Sequence, residues 1–348
     1  MKLLELIAFT EKGFGVAGRI VAGLDSGDWS CRIGTTMKGH PCSIGKPLSR
    51  WTEEAFANAR AIVFVGASGI AVRSIAPFLK SKAADPAVIV VDDAGQFAIP
   101  LVSGHIGGAN QLARTIAEIV GAVPVITTAT DVNGRFAVDE WASGQGLAIC
   151  TLAEAKAVSA ALLAGINIGF QSDFPVNGAL PEGLVDAAEG EIGIAITLDD
   201  GAAPFATTLR LIPRLVTFGI GCRKGKTAEE IARAVDLALA GQGISRQAVA
   251  GVYSIDVKAE EPGLLAFCRE RRLAFGTFSA EELNRLQGEF SASEFVAGTV
   301  GVDNVCERSA VLGCGSGGYE GRLVLRKQAH QGVTVAAAVR GDYVVRFE

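Results

Sequence analysis

Short apolar runs rich in β-branched residues, each followed by a stretch of helical periodicity, recur along this chain and restrict what it can fold into. Residues 3–9, 61–65, 87–91 and 123–127 are such runs, and 15–24, 70–82 and 109–120 are the helical stretches among them. In the last of these, Leu112, Ile116, Ile119 and Val120 fall on one face. Unbroken apolar runs mark strands buried on both sides, and their alternation with helices predicts a parallel sheet covered on both faces. The pattern returns with strands at 215–220, 252–257, 273–278 and 334–339, and helices at 227–240, 260–272 and 307–312. Between the two ends, 152–165 reads as helix, and 167–171, 193–198 and 208–212 as short strands set off by Pro175, Asn177, Gly178, Pro181 and Pro204. The expected fold class is α/β, with parallel-sheet αβ domains at both ends joined by a smaller α+β middle domain. The boundaries follow as 1–145, 146–212 and 213–348, with 25–48 an irregular excursion in the first domain.

Apolar residues make up 49% of the 348 positions and charged residues 20%, enough to bury several cores. The net charge of −5 supplies no general basic field, so nucleic acid is not expected as a partner. Glu5 and Glu11 interrupt the first apolar stretch, and no run of 18 apolar residues exists, so neither a signal peptide nor a membrane span is expected. Seven scattered cysteines without a CxxC pair read as reduced thiols of a cytoplasmic protein. No His/Cys/Glu cluster has metal-ligand spacing, so no protein-bound metal is expected.

Four motifs carry chemistry. The stretch 101–139 places two polar turns, Ser-Gly-His-Ile-Gly-Gly-Ala-Asn and Thr-Thr-Ala-Thr-Asp-Val-Asn, after two apolar runs. In an open parallel sheet the carboxyl ends of the strands form the ligand edge. His105 in the first turn is one of only three histidines and titrates near neutral pH, which suits a general base; Gly107 and Gly108 would let a ligand approach the backbone. His40 and His330 lack such a setting. Asp92, paired with Asp93 at the end of the run 87–91, is a second candidate base. The segment 66–73, GASGIAVR, is neither GxGxxG nor GxSxG, and offers Arg73 as an anion clamp. Finally, 219–227, GIGCRKGKT, misses the Walker A spacing but gathers Arg223, Lys224 and Lys226 at a helix start, an arrangement that suits carboxylate or phosphate.

Taken in order, 69–77, Lys82 with 85–88, Asp92, 101–110, 125–132, 219–224, 254–258 with Glu261, and 307–310 with Lys327 and Thr334 resemble the cobalt-precorrin-5A hydrolase (CbiG) family of anaerobic cobalamin biosynthesis. The resemblance runs from about residue 50 to 340 and is weakest in the middle segment. It implies a cobalt-containing corrinoid substrate rimmed with acetate and propionate arms. It further implies opening of the ring A δ-lactone by water, release of the methylated bridging carbon as acetaldehyde, and cobalt-precorrin-5B as product. The cobalt comes with the substrate, so no cofactor is expected. For that reaction His105 or Asp92 would serve as base and the N–H groups of Gly107 and Gly108 as oxyanion donors. Arg73, Lys82, Arg223 and Lys224, together with Glu307, would bind substrate. A homodimer and contacts with other enzymes of the pathway are left open. Two other readings compete: a non-catalytic tetrapyrrole carrier, and a nucleotide-binding phosphotransferase built on the 219–227 turn.

Overall fold

A computed structural model describes residues 2–24, 29–81, 84–104, 107–240, 242–315 and 320–347. Contacts divide the chain into two compact units, Met1–Ser143 and Gly144–Glu348. No helix among the described residues is long and apolar enough to cross a membrane.

The first unit contains, in order, β1 (Lys2–Ala8), α1 (Glu11–Leu24), β2 (Trp29–Thr35), α2 (Leu48–Asn58), β3 (Ala61–Val65), α3 (Ser68–Ile75), β4 (Ala87–Val91), β5 (Phe97–Val102), α4 (Ala109–Val120), β6 (Val123–Pro124), α5 (Ala129–Val132) and α6 (Val138–Gly144). The strands form one sheet in the order β2-β1-β3-β4-β5-β6. The alternating faces of its central strands feed two cores, as the two-residue repeat of a strand requires. Leu4, Leu6, Val63, Val65, Ile89 and Val91 pack under α1 and α4. Ile7, Ile62, Phe64, Val88 and Val90 pack under α2 and α3. The α/β class is therefore borne out.

Two features of this sheet depart from the sequence reading. The 25–48 segment, expected to be irregular, contains β2, which pairs in parallel with β1 along its whole length. As an edge strand, with only Gly34 and Thr35 buried, it lacks the apolar run that marks the central strands. More consequential, β5 runs antiparallel to β4, and β6 follows the direction of β5. Only residues 92–96 separate β4 from β5. A parallel return needs a crossover of about a dozen residues or more, so the chain makes a hairpin instead. Asp92 builds its turn: Oδ1 accepts the N–H groups of Gln96 and Phe97, both at 2.6 Å, and Oδ2 accepts that of Ala94 at 3.0 Å.

The second unit begins with β7 (Leu147–Ile149), α7 (Leu152–Leu163), β8 (Ile168–Ser172), β9 (Val176–Asn177), β10 (Leu184–Asp186), β11 (Gly190–Ile196) and β12 (Phe205–Pro213). It continues with β13 (Val216–Cys222), α8 (Ala228–Leu239), β14 (Val249–Ile255), α9 (Pro262–Arg271), β15 (Ala274–Phe278), α10 (Ala280–Arg285), α11 (Glu294–Val300), α12 (Val305–Cys314), β16 (Gly321–His330), β17 (Val333–Arg340) and β18 (Val345–Arg346). One sheet has the order β10-β8-β11-β12-β7 and another β15-β14-β13-β17-β16. In the latter β13, β14 and β15 are parallel, and β17 is antiparallel to both its neighbours. The sheets share a core: Ala148 of β7, with Cys150, Phe174 and Leu198 just beyond the strands of the first sheet, packs against the buried cluster of Phe218, Ile220 and Val252 in the second and Phe267 of α9. β18 pairs with β9, and Phe347 meets Phe170 edge-on at 5.3 Å between ring centroids, so the end of the chain straps the two together.

The face of β13 away from α8 is covered by α12. Gly219 allows this approach: a Cβ there would overlap the carbonyl oxygen of Cys306 and lie 2.6 Å from the backbone nitrogen of Ala310. Thr217 fixes the far end of the helix, donating from Oγ1 to the carbonyl oxygen of Ala310 at 2.7 Å.

Candidate functional site

The strand reversal in the first unit splits the residues that the sequence grouped together. Val102 of β5 lies opposite Val88 of β4, whereas Asp92 follows Val91 at the other end of β4. Asp92 and Ser103 thus sit on opposite edges of the sheet, one strand length of roughly 16 Å apart at about 3.3 Å per residue. The expected alliance of Asp92 with Gly107 and Gly108 does not form. With its carboxylate already accepting three backbone N–H groups, Asp92 is the cap of a hairpin turn. His105 and Lys82 lie outside the described residues.

On the Asp92 edge, the turn after β3 lies beside it, since Gly66 donates its N–H to the carbonyl oxygen of Val91 at 2.8 Å. Asp93 accepts a hydrogen bond from the hydroxyl of Thr10, which in turn accepts the N–H of Gly13 at 3.0 Å, joining the β4 turn to the start of α1. Arg73 is exposed on α3, with its guanidinium folded back towards Gly69.

On the opposite edge, the two polar turns of the 101–139 stretch do meet. Ser103 adopts φ 59°, a left-handed conformation that costs a residue with a Cβ about 1–2 kcal/mol. Its hydroxyl donates to the carbonyl oxygen of Asp85 at 3.0 Å. The carbonyls of Ser103 and Gly104 accept the N–H groups of Ala109 and Asn110, so the turn wraps over the first residues of α4. Gly107 is required by this wrap, because a Cβ there would overlap that of Ser103, and Gly108 caps the helix at φ 84°. Asn110, which is buried, donates from Nδ2 to Thr128 Oγ1 at 2.9 Å and to Asp131 Oδ2 at 3.2 Å. Thr128 donates to Asp131 at 2.6 Å, and Arg114 bridges Asp131 at 2.6 Å and Glu140 at 3.6 Å. Asn110, Arg114 and Asp131 were not singled out from the sequence. The signal was the Thr128-x-x-Asp131 spacing at the head of a short helix.

In the second unit, Cys222, Ile255 and Phe278 end three parallel strands on one edge, where α8, α9 and α12 begin. Thr227 and Glu230 cap the start of α8 with a reciprocal capping box. The anion expected at the basic turn is partly supplied by the chain itself. Glu261 accepts the N–H of Gly225 at 2.8 Å and pairs with Lys258 at 2.7 Å, and these contacts hold its carboxyl below the usual carboxylate range. Lys226 pairs with Glu230 at 2.7 Å. Arg223 and Lys224 remain exposed, and no carboxylate among the described residues pairs with them.

Glu307 does not line this edge. It is fully buried and accepts three donors, the N–H and hydroxyl of Ser291 and the N–H of Lys327, each at 2.8 Å. Burial opposes the charge, but these donors outweigh it and hold the carboxyl below its ordinary value. The expectation that Glu307 contacts substrate is corrected accordingly: it ties the 287–293 segment and α12 to β16. Cys306, beside it, is buried too, which pushes its thiol up to about 11 and leaves it an inert thiol at neutral pH. Among the described residues no group of three or more His, Cys, Asp or Glu side chains is placed to hold a metal ion.

Comparison with known proteins places this arrangement. Three family descriptions match consecutive stretches: cobalamin synthesis G N-terminal at residues 50–131, cobalamin biosynthesis central region at 136–213, and cobalamin synthesis G C-terminus at 216–338. A cobalt-precorrin-5A hydrolase of Salmonella typhimurium is 35% identical over 298 residues, 82% of this chain and 84% of its own. The chain belongs to the CbiG family. A second cobalt-precorrin-5A hydrolase, from Priestia megaterium, is 30% identical over 299 residues, 81% of this chain and 79% of its own. A solved cobalamin biosynthesis protein G homolog from Sulfolobus solfataricus is 25% identical, covers 97% of both chains and superposes with a TM-score of 0.43. The wrapped turn with Thr128 and Asp131 falls in the first CbiG region, and Arg223, Lys224, Glu261 and Glu307 fall in the last.

Proposed function

We propose that this protein is a hydrolase of cobalamin biosynthesis that acts on cobalt-precorrin-5A. The observation that carries the reading is its identity of 35% and 30%, across about four fifths of both partners, to proteins bearing that activity's name. Water adds to the acyl carbon of the ring A δ-lactone, and the ring oxygen leaves as the hydroxyl of the adjoining methylated carbon. The bond from that carbon to the macrocycle then breaks. Its electron pair stays with the macrocycle, the hydroxyl proton is taken up by a base, and acetaldehyde departs. Cobalt stays with the substrate throughout, and the protein contributes no cofactor.

The chain has to supply a base, oxyanion donors and cations. His105 is assigned the base, since the oxygens of Asp92 are committed to a hairpin turn. The N–H groups of Gly107 and Gly108 are assigned to the developing oxyanion; preorganised donors of this kind are worth about 3–4 kcal/mol each. Arg223, Lys224, Arg73 and Lys82 are assigned to the carboxylate arms. The phosphotransferase alternative is disfavoured, because Glu261 holds the Gly225 N–H that a phosphate would need. Turnover in H₂¹⁸O tests the reading. Hydrolysis of the lactone places one ¹⁸O in the new carboxylate of the product, and an unlabelled product would exclude attack by water.

A further inference from the structure

At the amino ends of β13, β14 and β15, on the edge away from Arg223 and Lys224, a cavity of about 440 Å³ opens between the last turns of α8 and α9. Its walls are apolar: Phe218, Val235, Leu239, Val249 and Phe267 line it, each no more than 8% exposed. Its rim is cationic, formed by Arg214, Arg246, Arg271 and Arg272 against a single acid, Asp236. Asp236 is shared between Arg246 at 2.9 Å and Arg271 at 3.7 Å. Arg214 and Arg272 have no carboxylate partner among the described residues. Two helix C-termini contribute roughly half a negative charge each, which leaves most of the cationic excess in place. Arg272 carries a further sign. It caps α9 at φ 53°, a left-handed position where glycine is the unstrained choice. A strained residue whose side chain lines a cavity points to a use for that side chain.

The geometry points to a second anion site here, one that takes an organic polycarboxylate with an apolar body. Planar guanidinium groups bind carboxylates through paired hydrogen bonds, and the walls would cover an apolar frame. The volume lies within the range of small-ligand pockets and accepts a single substituted ring or one edge of a macrocycle. This inference is independent of the hydrolase reading, since it uses none of the residues assigned to the reaction.

The test uses the full chain and uroporphyrin I, a fluorescent tetrapyrrole with carboxylates around its rim, titrated at low salt. Measured in the Arg223→Ala/Lys224→Ala background, which removes the cations assigned to the substrate's carboxylate arms, the further change Arg214→Gln/Arg272→Gln should weaken binding by about ten-fold or more per arginine. Arg272→Gly should weaken binding without lowering Tm, because it removes the guanidinium and relieves the backbone together. Citrate competition identifies the source: displacement of uroporphyrin points to a small free polycarboxylate, and its failure to displace points to a macrocycle edge. The proposal is overturned if uroporphyrin does not bind, or if both arginine variants bind it as their parent proteins do.

Discussion

Glu307→Ala separates a structural carboxylate from a substrate-binding one. The change removes the acceptor for the Ser291 N–H, the Ser291 hydroxyl and the Lys327 N–H. A hydroxyl can turn to another partner, but the two backbone donors cannot. A donor stranded without an acceptor costs about 1–3 kcal/mol, so the pair costs about 2–6 kcal/mol. For a unit of this size each kcal/mol moves Tm by roughly 2–4 °C, which gives a fall of about 4–24 °C for the transition of the second unit. Glu307→Gln keeps the shape but turns an amide NH₂ towards one of the donors, so about half that loss is expected. Scanning calorimetry checks both variants, and KM is measured well below the lowered Tm. A fall of under about 2 °C in Glu307→Ala would refute the anchoring argument, and a raised KM with Tm unchanged would return Glu307 to the substrate.

Other outcomes follow from the same geometry. Arg223→Ala/Lys224→Ala should raise KM by about ten-fold or more and leave Tm within a degree or so, since exposed charges contribute little to folding; steady-state kinetics at two salt concentrations checks this. Gly107→Ala forces a Cβ into Ser103, so the turn must open at a cost of about 1–3 kcal/mol, and kcat should fall more than KM rises. His105→Ala should lower kcat by about 10²–10⁴-fold with little change in binding. For acid stability, Glu261 and Glu307 both have folded-state pKa values below the ordinary 4.5. Their contribution is complete above about pH 4.5 and is lost as pH falls through the lower folded values. A Tm–pH profile of the wild type should therefore drop below that pH more steeply than one of Glu307→Gln.

The buried strands β1, β3, β4, β13 and β15 and helices α4 and α8 were legible because the apolar period acts locally. Strand β2 was not, since an edge strand such as Trp-Ser-Cys-Arg-Ile-Gly-Thr buries too little to show a run. The direction of β5 was missed for another reason. Apolar pattern is blind to direction, and only the short 92–96 link carried the information, as a span too brief for a crossover. That one reversal separated Asp92 from the glycine turn it was expected to serve. The meeting of the two polar turns was legible as composition, whereas the Asn110–Thr128–Asp131 contacts that join them depend on α4 and α5 being side by side. The resemblance offered Glu307 as a substrate contact, and a position at the head of a helix does not reveal its burial, which depends on the 287–293 segment packing over it.

The most direct test of the hydrolase assignment is the stoichiometry of acetaldehyde released from cobalt-precorrin-5A by the purified chain under anaerobic conditions, with no nucleotide or added metal. One acetaldehyde per macrocycle is expected, formed in step with cobalt-precorrin-5B. Tight binding of the macrocycle without acetaldehyde, or release only when ATP or a redox cofactor is supplied, would contradict it.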